Sequence, residues 1–190
     1  MSALRRRTWV AVLGAISLAA VLAIACTRGS EDASPPVDAE LVAFLSEARS
    51  LHHIANVKEE SGDLAGAAGA MERLVGAQPP HPGKPTPEVE EVLADAYARL
   101  AELRLKHGEV DAAAKAIASG LVHAPEPTYF KGHLLEVQGV VEETRAAELT
   151  DAGQSEAARA TRERAINLLE QAVKIQEQVI QRSLGNDGGR

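Results

Sequence analysis

The sequence predicts an all-α protein, and its alanine, aromatic and proline contents support this class. The 190 residues include 35 alanines but only 3% aromatic residues. Alanine is the best helix former, whereas aromatic and β-branched residues favour strands, so the composition disfavours a β-sandwich or barrel. The nine prolines leave proline-free blocks at 37–78, 88–124 and 128–190. Because proline breaks helix interiors, each block can form one helical unit.

The N-terminal residues have the layout of an export signal. Three arginines at positions 5–7 precede an uncharged stretch from Thr8 to Ala25, and the single cysteine, Cys26, follows at once. A basic segment, an apolar segment and small residues before a boundary are typical of such signals. Since the arginines stay on the cytoplasmic side, the rest of the chain is expected outside the cytoplasm.

The residues Leu22-Ala23-Ile24-Ala25-Cys26 resemble the lipobox of bacterial lipoproteins. The resemblance implies that 1–25 is a signal peptide and that Cys26 becomes a lipidated first residue. It also implies a lipid-anchored, periplasm-facing protein of the bacterial cell envelope, at the outer membrane. The polar stretch from Thr27 to Pro36 ends in two prolines, so 26–37 is expected to comprise the lipidated cysteine and a flexible tether. The alternatives are an uncleaved membrane anchor and secretion through a different peptidase.

The cysteine content limits how the fold can be stabilised, and the net charge limits the classes of partner. The single cysteine excludes an intramolecular disulfide, so the fold depends on its helical core. Without 1–25, the chain has 17 basic and 27 acidic residues. This negative balance is unfavourable for nucleic acid and for electrostatic adhesion to anionic lipid.

An internal repeat lies between the proline clusters. An offset of 46 residues aligns Gly62 with Gly108 and also superimposes apolar, small and proline positions on either side. The aligned pairs are Leu51/Tyr97, Ile54/Leu100, Ala55/Ala101, Ala67/Ala113, Met71/Ile117 and Pro79/Pro125. Gly153 is the turn glycine of a weaker third unit, with Ala146 seven residues before it and Ala158 five residues after it. Each glycine is expected to form the left-handed turn that ends a helix.

This spacing resembles the tetratricopeptide repeat (TPR), a helix-turn-helix unit of 34 residues. The match covers roughly 48–81 and 94–127. The resemblance implies a TPR-like stack of three antiparallel helical hairpins over 38–184. The alternative is an unrelated bundle of α-hairpins with the same turns.

The predicted helices follow from turn and cap signals. Asp38 caps the first helix, Gly62 ends it, and Pro79 stops the second. Thr86 caps the third, in front of Pro87 in its first turn. The expected ranges are about 38–61, 64–77, 87–107, 110–123, 127–151 and 154–184, with a disordered tail at 185–190.

Gly108 and Pro125 bound the fourth helix, Pro127 begins the fifth, and Gly153 ends it. The sixth helix runs on because no proline stops it, and it carries two apolar rows. The first row is Ala165, Leu168, Ala172, Ile175 and Val179, and the second is Ile166, Leu169, Val173 and Ile180. The rows either pack in the core or form a face for self-association or a partner.

The sequence offers no catalytic constellation and no metal-ligand spacing. His52 and His53 are adjacent, so on a helix they point about 100° apart and cannot chelate one ion. Neither a nucleophile elbow nor a phosphate-binding glycine loop is present. We therefore expect no enzyme activity, and no cofactor besides the covalent lipid on Cys26.

In TPR proteins the first helices of the hairpins line a concave groove that binds peptides. The resemblance implies that the groove here is lined by Arg49, His52, Asn56, Glu59, Glu60, Asp95, Ala98, Glu102, Leu105 and Lys106. Asn56 has the place of an asparagine that binds a peptide carboxylate in some members, but His52 stands where the accompanying lysine would be. The groove is mostly acidic, which favours a basic or neutral partner segment.

The functional hypothesis is an envelope-anchored module that binds another envelope protein and helps assemble a complex. One alternative is a structural homo-oligomer formed through the apolar face of the last helix. The other is a helical carrier of a small ligand, which needs a roomy pocket where the alanine-rich sequence suggests tight packing.

Overall fold

The described residues, 37–84 and 86–186 of a computed structural model, form six helices without a strand. The helices are α1 Ala39–Glu60, α2 Leu64–Val75, α3 Pro87–Lys106, α4 Val110–His123, α5 Tyr129–Asp151 and α6 Ser155–Asn186. This confirms the all-α class and the number of helices. The predicted signal peptide, Cys26 and nearly all of the tether lie outside the described residues. None of the six helices combines the length and apolarity needed to span a bilayer.

Three helix boundaries differ by two residues from those predicted. α2 ends at Val75 and not at 77. α5 begins after Pro127, because the Thr128 side chain accepts a hydrogen bond from the backbone N–H of Lys131 at 3.4 Å and acts as the N-cap. α6 continues to Asn186, so the predicted tail at 185 begins inside the helix. With 32 residues, α6 is the longest of the helices, as its lack of a proline predicts.

The three predicted glycine turns share one geometry. Gly62, Gly108 and Gly153 have φ angles of 82°, 83° and 73°, in the left-handed region. After each glycine, a backbone N–H donates to the carbonyl five residues earlier, at 2.8–2.9 Å: Asp63 to Lys58, Glu109 to Arg104, and Gln154 to Leu149. This bond, together with one from the glycine N–H to the carbonyl three residues earlier, is the Schellman motif that satisfies the last carbonyls of a helix.

The helices contact one another in a regular order. Each helix contacts the next in the chain, and α3 also contacts α1 and α5. Within the described residues, α2 makes no contact with α4, and α6 contacts only α5. α3 is therefore the central helix, with four neighbours.

Small residues allow this close packing. α3 buries four alanines, and Gly120 of α4 lies against both α3 and α5. A Cβ atom at Gly120 would lie 2.6 Å from Leu134 Cδ2 and 2.8 Å from Tyr97 Cβ. Real Cβ atoms do not approach so closely, so the meeting of the three helices requires glycine here. The buried alanines of α3 are Ala94, Ala96, Ala98 and Ala101.

The structure separates the two apolar rows of α6. Ala165 and Ala172 of the first row are buried, and the rest of that row is half-buried. In the second row, Ile166, Val173 and Ile180 are 50%, 53% and 57% exposed. The first row is therefore core, whereas most of the second row remains uncovered.

Substitution of Gly108 tests the left-handed turn. Gly108→Ala should lower the free energy of unfolding by about 1–2 kcal/mol, because a Cβ atom is strained at this φ angle. Gly69→Ala is the matched control: it lies inside α2, and its new Cβ would meet nothing within 4 Å. That control should raise the stability by up to about 1 kcal/mol. Urea unfolding followed by circular dichroism measures both, and equal effects would contradict the assignment.

Candidate functional site

The polar side chains predicted for the groove lie on one surface of α1 and α3. Asn56 and Glu59 of α1 and Glu102 and Lys106 of α3 belong to a single hydrogen-bonded network. His52 lies beside this network, whereas Arg49 is exposed and outside it. The prediction therefore brought together four residues that the structure joins.

Arg99 is the centre of the network, and the sequence analysis missed it. Its Nη2 donates to Asn56 Oδ1 at 3.2 Å and to the carboxylate of Glu59, and its Nη1 donates to Glu102 Oε2 at 3.2 Å. The side chain is only 20% exposed. Burial alone would lower the pKa of Arg99, but the hydrogen bonds with Glu59 and Glu102 outweigh it and raise the pKa. Arg99 thus ties α1 to α3.

Glu59 is engaged by cations of its own chain. Lys106 Nζ donates to Oε1, and Arg99 donates to Oε2. The hydrogen bond from Lys106, with further help from Arg99, lowers the pKa of Glu59. Since Asn56 also uses its oxygen to accept from Arg99, both α1 residues are occupied within the chain.

Glu102 extends the network to α5. Its Oε1 lies 3.4 Å from Nε2 of His133, while its Oε2 accepts from Arg99. The interaction with Glu102 raises the pKa of His133. Burial alone would raise the pKa of Glu102, but its hydrogen bonds with His133 and Arg99 bring it below the usual value. Three helices, α1, α3 and α5, are therefore connected through one chain of charges.

The pKa of His52 shifts in the opposite direction to that of His133. Its Nε2 lies 3.7 Å from Oδ2 of Asp95 on α3. Burial lowers the pKa of His52, and the effect is stronger than the attraction of Asp95. Above pH 6.5 the imidazole of His52 is therefore mostly neutral and does not cancel the charge of Asp95, which is 44% exposed.

A pocket of about 280 Å³ lies between α3 and α5, next to the network. Val137 is buried and Val140 is 41% exposed, so the apolar lining is reachable from solvent. Glu136 on the rim accepts one long hydrogen bond, 3.5 Å from the Gln176 amide. The apolar lining is Leu105, Val137 and Val140, and the polar rim is Glu102, Lys106, His133 and Glu136.

The remaining predicted groove residues divide into three cases. Ala98 was wrongly placed: it is 1% exposed and belongs to the core. Leu105 lines the pocket, and Glu60 is exposed without joining the network.

The signal that would have identified the surface is the set of charged residues on α3 at positions 95, 99, 102 and 106, with helical spacing.

The site's chemistry is that of ion pairs and one apolar pocket. Within 37–84 and 86–186, no three His, Cys, Asp or Glu side chains gather as a metal site would require. The expectation that the protein binds no metal and catalyses no reaction stays a prediction. What the surface offers a ligand is acidic charge beside an apolar depression.

The two histidines predict opposite pH dependences of stability. His133 has a pKa raised above 6.5, so its contribution is complete below pH 6.5 and is lost as the pH rises through its folded pKa. His52 has a pKa lowered below 6.5, so its contribution is present above pH 6.5 and is lost as the pH falls through its folded pKa.

His133→Gln should therefore destabilise the protein more at about pH 5 than at about pH 8. His52→Gln should show the reverse order. Urea unfolding of both variants and the parent protein at each pH provides the measurement. Equal pH dependence in the two variants would mean that the ion pair with Glu102 does not hold.

Comparison with known proteins leaves this surface to be interpreted from its own geometry. No family model, no curated protein and no solved structure matches the chain. The charges on α1, α3 and α5 and the pocket beside them are therefore the basis for a functional proposal.

Proposed function

We propose that this chain is a protein-interaction module whose α1–α3–α5 face receives a segment of a partner protein. The observation that carries the proposal is the arrangement of this face, where one charge network and an adjoining pocket extend over three alternate helices. Surfaces that combine an apolar depression with charged groups around it suit peptide recognition, since the pocket gives affinity and the charges give register.

A TPR-like stack of three hairpins is the arrangement that we infer for the helices. It is supported by the contacts of α3 with both α1 and α5, since the first helices of successive hairpins are neighbours in such a stack. The common geometry of the turns at Gly62, Gly108 and Gly153 also supports it. In this arrangement α1, α3 and α5 share the concave side.

The charges of the face indicate the chemistry of the partner segment. Glu59 is already neutralised by Arg99 and Lys106, so it contributes little to a partner. Asp95 beside neutral His52 and Glu136 at the pocket rim keep more of their negative charge. We therefore propose a segment in which an apolar side chain enters the pocket and a nearby lysine or arginine meets Asp95 or Glu136.

The location proposed for this module is the bacterial envelope. The export-signal layout of 1–25 and the lipobox-like residues ending at Cys26 support a lipid anchor facing the periplasm. The partner is then another envelope protein, the membrane is reached through the lipid, and nucleic acid is not a ligand. A small-ligand carrier is less well supported, because the pocket between α3 and α5 is small and open to solvent.

Charge reversal tests the role of the face. The double variant Asp95→Lys/Glu136→Lys should reduce recovery of the partner by about tenfold or more, since it replaces attraction with repulsion. Crosslinking in intact cells with mass spectrometry identifies and quantifies the partner. Glu148→Lys is the matched control, because Glu148 is an exposed acid of α5 outside the network. Equal recovery from all three proteins, or capture of no other protein, would contradict the proposal.

Substitution of Cys26 tests the anchor. Cys26→Ala should abolish lipidation, so the protein should leave the membrane fraction or keep an uncleaved signal with altered gel mobility. Ser30→Ala, a small change four residues further on, should alter neither property. Unchanged fractionation and mobility of Cys26→Ala would exclude the lipoprotein hypothesis.

A further inference from the structure

The interface between α2 and α3 has equivalents at the two ends of the helix array. α1 exposes residues equivalent to the α3 side of that interface, and α6 exposes residues equivalent to the α2 side. α2 packs on α3, and α4 packs on α5. On α3, Leu100 and Leu103 are 4% and 0% exposed. The offset of 46 residues places Ile54 and Val57 of α1 at the equivalent positions, yet these are 40% and 51% exposed. No helix precedes α1 within the described residues, so nothing there covers them.

α6 exposes the residues equivalent to the other side of this interface, which α2 presents to α3. Aligning the turn glycines places Ile166 at the position that Val75 occupies on α2 and Leu121 on α4. Those two residues are partly buried against the core, whereas Ile166 is 50% exposed. Val173 and Ile180 extend this surface at intervals of seven residues along the same side of α6.

The charged residues at the two ends also correspond to those of the α2–α3 interface. An ion pair between Glu72 of α2 and Arg104 of α3 links these two helices. The same alignment places Glu163 of α6 at the position of Glu72, and Lys58 of α1 at the position of Arg104. Glu163 is exposed, and the Lys58 side chain is 41% exposed while paired with Asp63. One end thus carries the acid and the other end the base of a pair that the fold already forms.

We propose that two copies of this chain associate end to end, with α6 of one copy packing on α1 of the next in the register that α2 uses on α3. The second copy is the favoured occupant because both the apolar positions and the charges continue an interface within the chain. The two surfaces differ, so the contact leaves a free end on each side and builds linear chains. This inference uses the helix register but does not require that the α1–α3–α5 face binds a partner.

Two single variants test the contact. Val57→Glu disables the α1 surface and Ile166→Glu disables the α6 surface, each by placing a charge at the centre of an apolar contact. The full-length protein, in a non-ionic detergent, is examined by sedimentation velocity over a range of concentrations. The parent protein should grow beyond a dimer as its concentration rises. Each variant alone should associate about tenfold or more weakly.

An equimolar mixture of the Val57→Glu and Ile166→Glu variants gives the decisive result. Ile166→Glu retains a good α1 surface and Val57→Glu retains a good α6 surface, so the mixture should form one-to-one dimers and nothing larger. Val122→Glu is the matched control, because Val122 is a 74% exposed residue of α4 outside both surfaces, and it should associate like the parent. Circular dichroism checks that all variants keep the parent's helix content.

Two outcomes would overturn the proposal. If Val57→Glu dimerises while Ile166→Glu does not, the contact is a symmetric one between two α6 helices. If the parent protein stays monomeric at every concentration, the exposed surfaces do not bind each other. Neither outcome bears on the charge-reversal experiment, because Asp95 and Glu136 belong to neither surface.

Discussion

Close packing around α3 is the constraint on which the rest of the structure depends. A helix with four neighbours must keep its axis near all of them, and bulky side chains on every side would prevent this. The alanines that α3 buries, together with Gly120 on α4, remove that obstacle. As a result α1 and α5 lie on either side of α3, within reach of the side chains that project between them. The charge network is a consequence of backbone packing rather than an independent feature.

The network in turn decides which charges remain for recognition. Arg99 is largely buried and is held by carboxylates from α1 and α3, so it serves to orient those helices. Glu102 uses its two oxygens for Arg99 and His133, which fixes α3 against α5. Of the two acids that remain for recognition, Glu136 lies on the pocket rim and Asp95 lies beside His52. A surface of this kind is preorganised, because its internal ion pairs are complete before a ligand arrives.

Turn and stop signals made most of the fold predictable from the sequence. Glycine can adopt a positive φ angle and proline cannot continue a helix, so both signals are local. The face of α3 was harder to predict, because Ala98 and Arg99 are adjacent, and only the axial positions of α1 and α5 decide which of them enters the core and which joins the charge network. No residue of the third repeat could be assigned to the groove from the sequence, because Arg145 occupies a position that is apolar in the first two repeats. In the structure Arg145 instead reaches Asp111 of α4 at 2.8 Å, so the polar substitution is accommodated by an ion pair between helices.

The single neighbour of α6 has a thermodynamic consequence. Its 32 residues extend for about 48 Å, whereas the 23 residues of α5 extend for only about 35 Å. Detaching α6 breaks its contacts with α5 but none with α3, so α6 can open locally without disturbing the packing around the central helix. Any molecule that covers the uncovered row of α6 therefore stabilises the docked state of this helix, and occupancy and local folding become linked equilibria at that end.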